Sequence, residues 1–372
     1  MRLNIVWEIT RVFKAIDLFA GCGGFSCGME KAGIKTICAV EIDKSIASSY
    51  KHNYPNTKML VDDIKNVDNV AYFSAKQADI IIGGSPCQGF SMAGARIRQS
   101  FVDDARNYLF KHYLNIVKLV KPKIFVFENV KGIISFDNGA IFTQIKQAFK
   151  SAGYHLQYLV AKMSDLGIPQ TRERVIVIGS VLEFSLQNEW DKTKQELSSR
   201  YKNFFDRVSV WDAIGNLPKP TKDGKIQNPK ANNTYLNFLA TNKTMLTNHI
   251  QTRHNSLAIN RMAQIKQNEN FTSLKENIKS IHSGSYGRLN ANGFAPTITT
   301  RFDTPSGGRF IHPYQNRTIT PREAARIQSF FDEFEFLGSK TSICKQIGNA
   351  VPPKMSYFLG VMIKRLLEND SK

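Results

Sequence analysis

Short apolar runs, broken by glycine-marked turns and by polar stretches with helical spacing, dominate the first half of the chain. Residues 12–18, 34–40, 78–82, 124–127 and 175–178 are apolar runs with little alternation, and a further strand is expected at 155–162. Runs of this length read as strands buried on both faces, the habit of parallel sheets covered by helices. A short strand closing at 61–64 joins them, and helices are expected through 29–32, 44–53, 108–120 and 140–152, with Asp43 as the N-cap of the second. Strand, turn and helix in alternation predict the α/β class: a Rossmann-like sheet with helices on both faces.

After Ser180 both periods fade into Asn, Gln, Lys, Ser and Thr. Order returns at Thr320-Pro321-Arg322-Glu323, a capping box with proline at N1, followed by a helix over 323–330 and an apolar helix over 355–367. The expected organisation is a sheet domain at 1–185, an inserted, smaller, irregular and mostly β domain at 186–320, and a segment at 321–372 that returns to the first domain.

Charge changes this picture most in the insert. The 372 residues carry a net charge of +19 and a pI near 9.7, which suits a polyanionic partner. Residues 191–320 hold 19 basic and 8 acidic side chains, +11 of that total, and no Asp or Glu falls between Gly224 and Asn268. Tyr235, Phe238 and His249 are interleaved with the cations. This pattern points to nucleic acid. No apolar run is long enough to cross a membrane, and the first 12 residues lack a signal-peptide core. The five cysteines are odd in number and form no Cys-x-x-Cys pair, so neither a disulfide framework nor a metal site is expected. The expectation is a cytoplasmic monomer.

Candidate chemistry lies at the ends of the expected strands, where open α/β sheets bind ligands. Phe19-Ala20-Gly21-Cys22-Gly23-Gly24 is a glycine turn after the first strand. The dinucleotide fingerprint G-x-G-x-x-G fails because Ser26 stands where glycine is needed. Glu41 ends the second strand, 20 residues beyond Gly21, where a carboxylate can grip ribose hydroxyls. Asp63 could reach an adenine edge. The fourth strand ends in Gly83-Gly84-Ser85-Pro86-Cys87-Gln88, presenting a thiol on a stiff loop, which in isolation reads more readily as a structural cysteine. A long polar loop at 91–107 follows, of the kind that closes over a site. Glu128 ends the fifth strand on the same rim. Arg172 and Arg174, two residues apart, enter a strand from one face and equally suit a surface charge ladder.

Taken in order, glycine turn, strand-end acid, Pro-Cys-Gln, Glu-Asn-Val, Gln-Thr-Arg-Glu-Arg, basic insert and Gln-Ile-Gly-Asn-Ala-Val-Pro resemble the cytosine-C5 DNA methyltransferase family over nearly the whole chain except the insert. The resemblance implies transfer of a methyl group from S-adenosylmethionine to C5 of a cytosine flipped out of duplex DNA. It implies Cys87 as the nucleophile at C6, Glu128 at N3, and Arg172 and Arg174 at O2. It places the cofactor against Phe19, Gly21, Gly23, Gly24, Glu41, Ile42, Asp63, Ile64, Pro86, Leu109, Asn349 and Val351, and makes the 91–107 loop the lid. Cys22 and Cys27 are packing residues in this reading, and 186–320 recognises the DNA word. It also implies a modification enzyme paired with a restriction endonuclease. Alternatives from other classes are the same chemistry on tRNA, for which the Cys-Phe-Thr motif is absent, an inactive DNA-binding homologue, and a nicotinamide oxidoreductase, which Ser26 disfavours.

Overall fold

The computed structural model describes residues 11–84, 109–276, 278 and 283–370. Seven strands form one sheet in the order β3-β2-β1-β4-β5-β7-β6. They are β1 (Lys14–Leu18), β2 (Lys35–Glu41), β3 (Lys58–Val61), β4 (Ile80–Gly84), β5 (Ile124–Val130), β6 (His155–Lys162) and β7 (Glu173–Ser180). The first five are parallel; β7 runs antiparallel between β5 and β6. The strand order reverses between β1 and β4, the switch point at which such sheets open a crevice.

The apolar runs sort by alternation onto two cores. Ala15, Ile80, Ile82, Ile124, Val126, Ile176 and Ile178 face one cluster, while Ile16, Leu18, Ile81, Phe125, Phe127, Val175 and Val177 face the other. On the second face lie α3 (Ile64–Val67), α4 (Leu109–Val120) and α5 (Ala140–Ser151); α2 (Lys44–Asn53) packs beside β2 and β3 with Asp43 capping it as expected. On the first face lie α1 (Gly24–Lys31) and the C-terminal helix α12 (Pro353–Asn369). These two helices touch at glycines: a Cβ on Gly28 would fall 2.1 Å from Ser356 Oγ, and one on Gly360 would fall 2.7 Å from Ala32 Cβ. The chain's last helix therefore completes the sheet's first unit.

The middle of the chain departs from expectation. It is irregular, and among the described residues its own sheet has two two-residue strands, β8 (Ile226–Gln227) and β9 (Met245–Leu246). Its regular structure is helical rather than mostly β: α6 (Leu186–Arg200), α7 (Val210–Ile214), α8 (Thr234–Leu239) and α9 (Ser256–Gln264). Moreover, α6 lies on the sheet's first core. Leu186, Trp190 and Leu197 join that cluster, Trp190 packs on Phe358 at 4.4 Å, and Arg365 pairs with Glu189 and Glu196. The apolar positions of α6 recur at helical spacing, but so sparsely among Gln, Asn, Asp and Lys that the period is easily lost.

Two further helices close the structure, α10 (Pro321–Ile327) and α11 (Lys340–Asn349). The capping box at Thr320 and Glu323 forms with both of its bonds. Lys354, at the start of α12, is buried and donates to the carbonyls of Gly167 (3.1 Å) and Phe204 (2.6 Å), with the rings of Phe204, Tyr235 and Phe238 around it. A single side chain thus ties the C-terminal segment to the turn before β7 and to the middle of the chain.

Candidate active site

β1 ends in a turn built for close approach. Phe19, Gly21 and Gly23 all have positive φ, at 57°, 56° and 97°. Gly21 has open space where a Cβ would stand, whereas Gly23 and Gly24 are clamped, a Cβ on them falling 2.6 Å from the Tyr54 ring and from the Val351 carbonyl. The residue before the following helix, Gly23, offers no side-chain cap. Glu41 holds the turn from the side: its two oxygens accept the Gly21 and Asp43 amides, each at 2.9 Å. Burial raises its pKa, and these amides pull it back. Ile42 is 65 % exposed, an apolar side chain left uncovered beside that carboxylate. Open glycine, anchored acid and bare isoleucine together fit an adenosine-type cofactor.

The remaining expected cofactor contacts divide. Asp63 caps α3 through the Lys65 amide, and Ile64 is buried in the core, so its side chain serves packing. Leu109 opens α4 half-buried, and Val351 lies beside Gly84. Asn349 is exposed at the end of α11. Pro86, Cys87 and the 91–107 loop lie outside the described residues.

One group escaped the sequence reading. Asp17 interrupts the apolar run of β1, and it is 1 % exposed. Ser26 Oγ donates to it at 2.6 Å and is itself bonded to Tyr50 Oη and Thr36 Oγ1. The serine that broke the dinucleotide fingerprint is therefore the partner of a buried carboxyl beneath the glycine turn. Burial pushes Asp17 up to about 7, against the Ser26 hydrogen bonds, and the nearby charge of Glu41 adds to the rise. A charged residue inside an apolar strand was the available signal.

The rim beyond β4 holds the acid and the arginines. Gly84 pairs with Glu128 across β4–β5, and a Cβ on Gly84 would lie 3.4 Å from Glu128 Oε2. Strand β5 continues to Val130, so Glu128 stands within it rather than at its end. Arg174, on neighbouring β7, places Nε 3.0 Å from Glu128 Oε1. Arg172 precedes β7 and is 2 % exposed. Its terminal nitrogens donate to the Gly348 and Ala350 carbonyls, both at 3.2 Å, which leaves its buried Nε without a partner among the described residues. Burial lowers Arg172 to about 9, aided by Arg174 and opposed by Glu128. The two arginines thus share the rim but differ in work: Arg174 meets the acid, and Arg172 pins the C-terminal end of α11, where Asn349 and Val351 stand. Cys22 and Cys27 are buried, with thiols raised by burial (Cys27 to about 12), as suits packing residues.

Residues 13–365 match the family model for C-5 cytosine-specific DNA methylase. The chain belongs to that family. Among curated relatives it is 32 % identical to the type II methyltransferase M1.HphI of Haemophilus parahaemolyticus, over 95 % of this chain and 87 % of that one. It is 34 % identical to the type II methyltransferase M.DdeI of Desulfomicrobium norvegicum, over 95 % and 89 %. Among solved structures it superposes with a TM-score of 0.74 and 27 % identity on a chain described as a DNA modification methyltransferase encoded within an E. coli prophage, covering 96 % of this chain and 99 % of that one. A Dnmt2 methyltransferase of S. pombe, at 16 % identity and a TM-score of 0.59, shares the fold. As a member of this family the chain is a DNA cytosine-5 methyltransferase. No helix among the described residues is long and apolar enough to cross a membrane.

Proposed function

We propose that this chain methylates cytosine within a specific duplex word through a covalent thiol adduct, with Cys87, Glu128, Arg172 and Arg174 as its chemical centre. The carrying observation is the register of three strands. Gly84 pairs with Glu128 three residues before Cys87, Arg174 meets Glu128 from β7, and the glycine turn of β1 adjoins β4 on its other side. That adjacency supports a site where a base and a cofactor meet over the switch point.

S-adenosylmethionine is the cofactor in this reading and supplies an electrophilic methyl group. Gly21, Gly23, Gly24 and the Phe19 turn give it a backbone floor, Glu41 takes ribose hydroxyls, and Ile42 lies against adenine. Asp63, Leu109, Pro86, Asn349 and Val351 complete the surround. Cytosine C5 is too weak a nucleophile to attack that methyl unaided. Cys87 thiolate adds to C6, and Glu128 hydrogen-bonds N3 as the ring takes up charge. Arg174 orients Glu128 and meets O2, while Arg172 holds the C-terminal end of α11. The activated C5 then takes the methyl group, with S-adenosylhomocysteine as the leaving group, and loss of the C5 proton to water with expulsion of the thiolate gives 5-methylcytosine and restores the enzyme. Since C6 is hidden in a duplex, the base must be extruded, and the 91–107 loop closes over it.

Residues 186–320 supply target recognition in this proposal, apart from α6, which packs with the sheet. The type II relatives support a role in modifying DNA against a restriction endonuclease, with the chain acting as a cytoplasmic monomer. Cys87→Ser abolishes methyl transfer from labelled S-adenosylmethionine while duplex binding persists; full activity in that variant overturns the assignment. Duplex carrying 5-fluorocytosine traps the wild type as a denaturation-resistant adduct, because fluorine cannot leave as a cation.

A further inference from the structure

Arg301 stands out among the cations of the insert because its surroundings aim it. Phe302 is fully buried with Phe310, Ile319 and Ala324, while Arg301 before it is exposed. The turn beneath is locked. The Thr304 amide and hydroxyl both donate to the Arg301 carbonyl at 3.2 Å, and the Gly307 amide donates to the Thr304 carbonyl at 2.9 Å. Gly307 sits so close that a Cβ there would fall 2.0 Å from the Arg301 carbonyl oxygen. Thr318 Oγ1 donates to the Asp303 carbonyl at 3.1 Å and closes the other side.

The guanidinium has a charged neighbour. Its Nε lies 3.8 Å from Asp303 Oδ1, and 63 % of the side chain is exposed. That oxygen is buried and has no hydrogen-bond partner among the described residues. At 3.8 Å the carboxylate attracts the guanidinium from its Nε side without a hydrogen bond, and the two terminal nitrogens are left as an open fork. Such a fork matches the paired acceptors O6 and N7 of guanine in the major groove.

Its position is the second observation. A Cβ on Gly348 would lie 2.5 Å from the Thr299 carbonyl, so the backbone just before Arg301 rests on the last turn of α11, whose Gly348 carbonyl Arg172 holds. Ala295, upstream, bridges to Gln170 and accepts from the Thr171 amide at 2.9 Å. Arg301 therefore stands beside the rim and not on a remote part of the basic surface.

We propose that Arg301, oriented by Asp303, reads a guanine of the recognition word close to the target cytosine. This rests on the duplex-methylating function proposed above. The test is to express the wild type, Arg301→Gln and Asp303→Asn in a host without 5-methylcytosine and map methylation across its genome. Absence of 5-methylcytosine with the wild type defeats the proposed function itself, separately from this inference. With a word in hand, Arg301→Gln methylates the original word roughly 10- to 100-fold more slowly and loses the preference for guanine at one position only. Asp303→Asn relaxes the same position less. A word without guanine, or a variant that keeps every position of the word whether its rate falls evenly or not at all, overturns the proposal.

Purified proteins give an independent reading that survives an inactive variant. Each guanine of the word is replaced in turn by 7-deazaguanine, which removes the N7 acceptor. The wild type loses roughly tenfold or more in binding at one position, and Arg301→Gln shows no further loss there. Equal sensitivity of both proteins at every position also overturns the proposal.

Discussion

The sheet and the irregular middle of the chain hold themselves rigid by different means. In the sheet, strands satisfy one another's amides and carbonyls, so polar side chains such as Glu128 and Arg174 are free for chemistry at the rim. In the middle the backbone has few ladders, and buried arginines bond the carbonyls instead. Arg288 alone donates to the carbonyls of Met262, Ile265, His312 and Gln315 and to the Asn316 side chain. Arg317 clasps Glu323 through two bonds of 2.8 and 2.7 Å, and from the returning segment Arg326, which clasps Asp332 at 2.8 and 2.7 Å, also donates to the Ala213 carbonyl and the Asn216 side chain of the middle. Net charge therefore overstates the surface available to a polyanion: some of these cations are the mortar of the loops.

The contrast breaks most plainly at Glu128. Glu128→Gln should lower kcat by about 10²- to 10⁴-fold while the thermal midpoint hardly moves, since the sheet does not depend on this side chain for its bonds. A large fall in midpoint instead would make Glu128 structural. Arg288→Met tests the other side: it strands the Ile265, His312 and Gln315 carbonyls, while that of Met262 keeps the Ile265 amide. At about 1–3 kcal/mol for each acceptor left without a donor, a destabilisation of at least about 3 kcal/mol is expected in urea unfolding. Cofactor binding measured by calorimetry should outlast duplex binding as urea rises. One coincident transition for both would show a single cooperative unit and dissolve the contrast.

Two pH effects sharpen the comparison, with opposite signs. Asp17 titrates near 7 in the folded chain against an ordinary 3.8, because burial outweighs its Ser26 hydrogen bonds. The folded state thus holds a proton that the unfolded state has released, and stability falls as pH rises from about 4 to 7, by roughly 4 kcal/mol at the limit. Asp17→Asn should flatten that slope in denaturation midpoints taken across the window. Glu323 behaves in reverse. Burial opposes its ionisation, but Arg317, with His312 and His249, outweighs it and holds the carboxyl at about 2, below its ordinary 4.5. Its contribution is complete above about 4.5 and is lost as pH falls towards 2, worth roughly 3 kcal/mol, and Glu323→Gln should remove that acid-side dependence.

What the sequence disclosed follows the same division. Strands were readable because double-sided burial demands unbroken apolar runs, and the rim was readable because glycine, proline and acids punctuate their ends. Even so, Glu128 proved internal to its strand, and Ile64 serves packing. The mostly β expectation for the middle fails because α6 to α9 carry narrow apolar stripes among polar residues, and the polar interval after Ser180 masks that α6 belongs to the sheet's core. Arginine was the least legible residue. Spacing alone did not separate Arg174, which meets an acid, from Arg172, which pins a loop, because that depends on carbonyls 176 and 178 residues away. Asp17 and Ser26 make sense only as a pair, the one explaining the other's departure from the dinucleotide fingerprint.

The glycine-lined crossing of α1 and α12 has a consequence for biosynthesis. Ser356 bonds the Gly24 carbonyl across 332 residues of chain. At about 5–20 residues per second, a ribosome needs roughly 15 to 70 s to supply α12 after α1 has emerged. For that interval one apolar face of the sheet stands partly uncovered in the nascent protein. Truncation before Pro353 would make the exposure permanent, and a prematurely terminated chain should meet chaperones or proteases before it meets DNA.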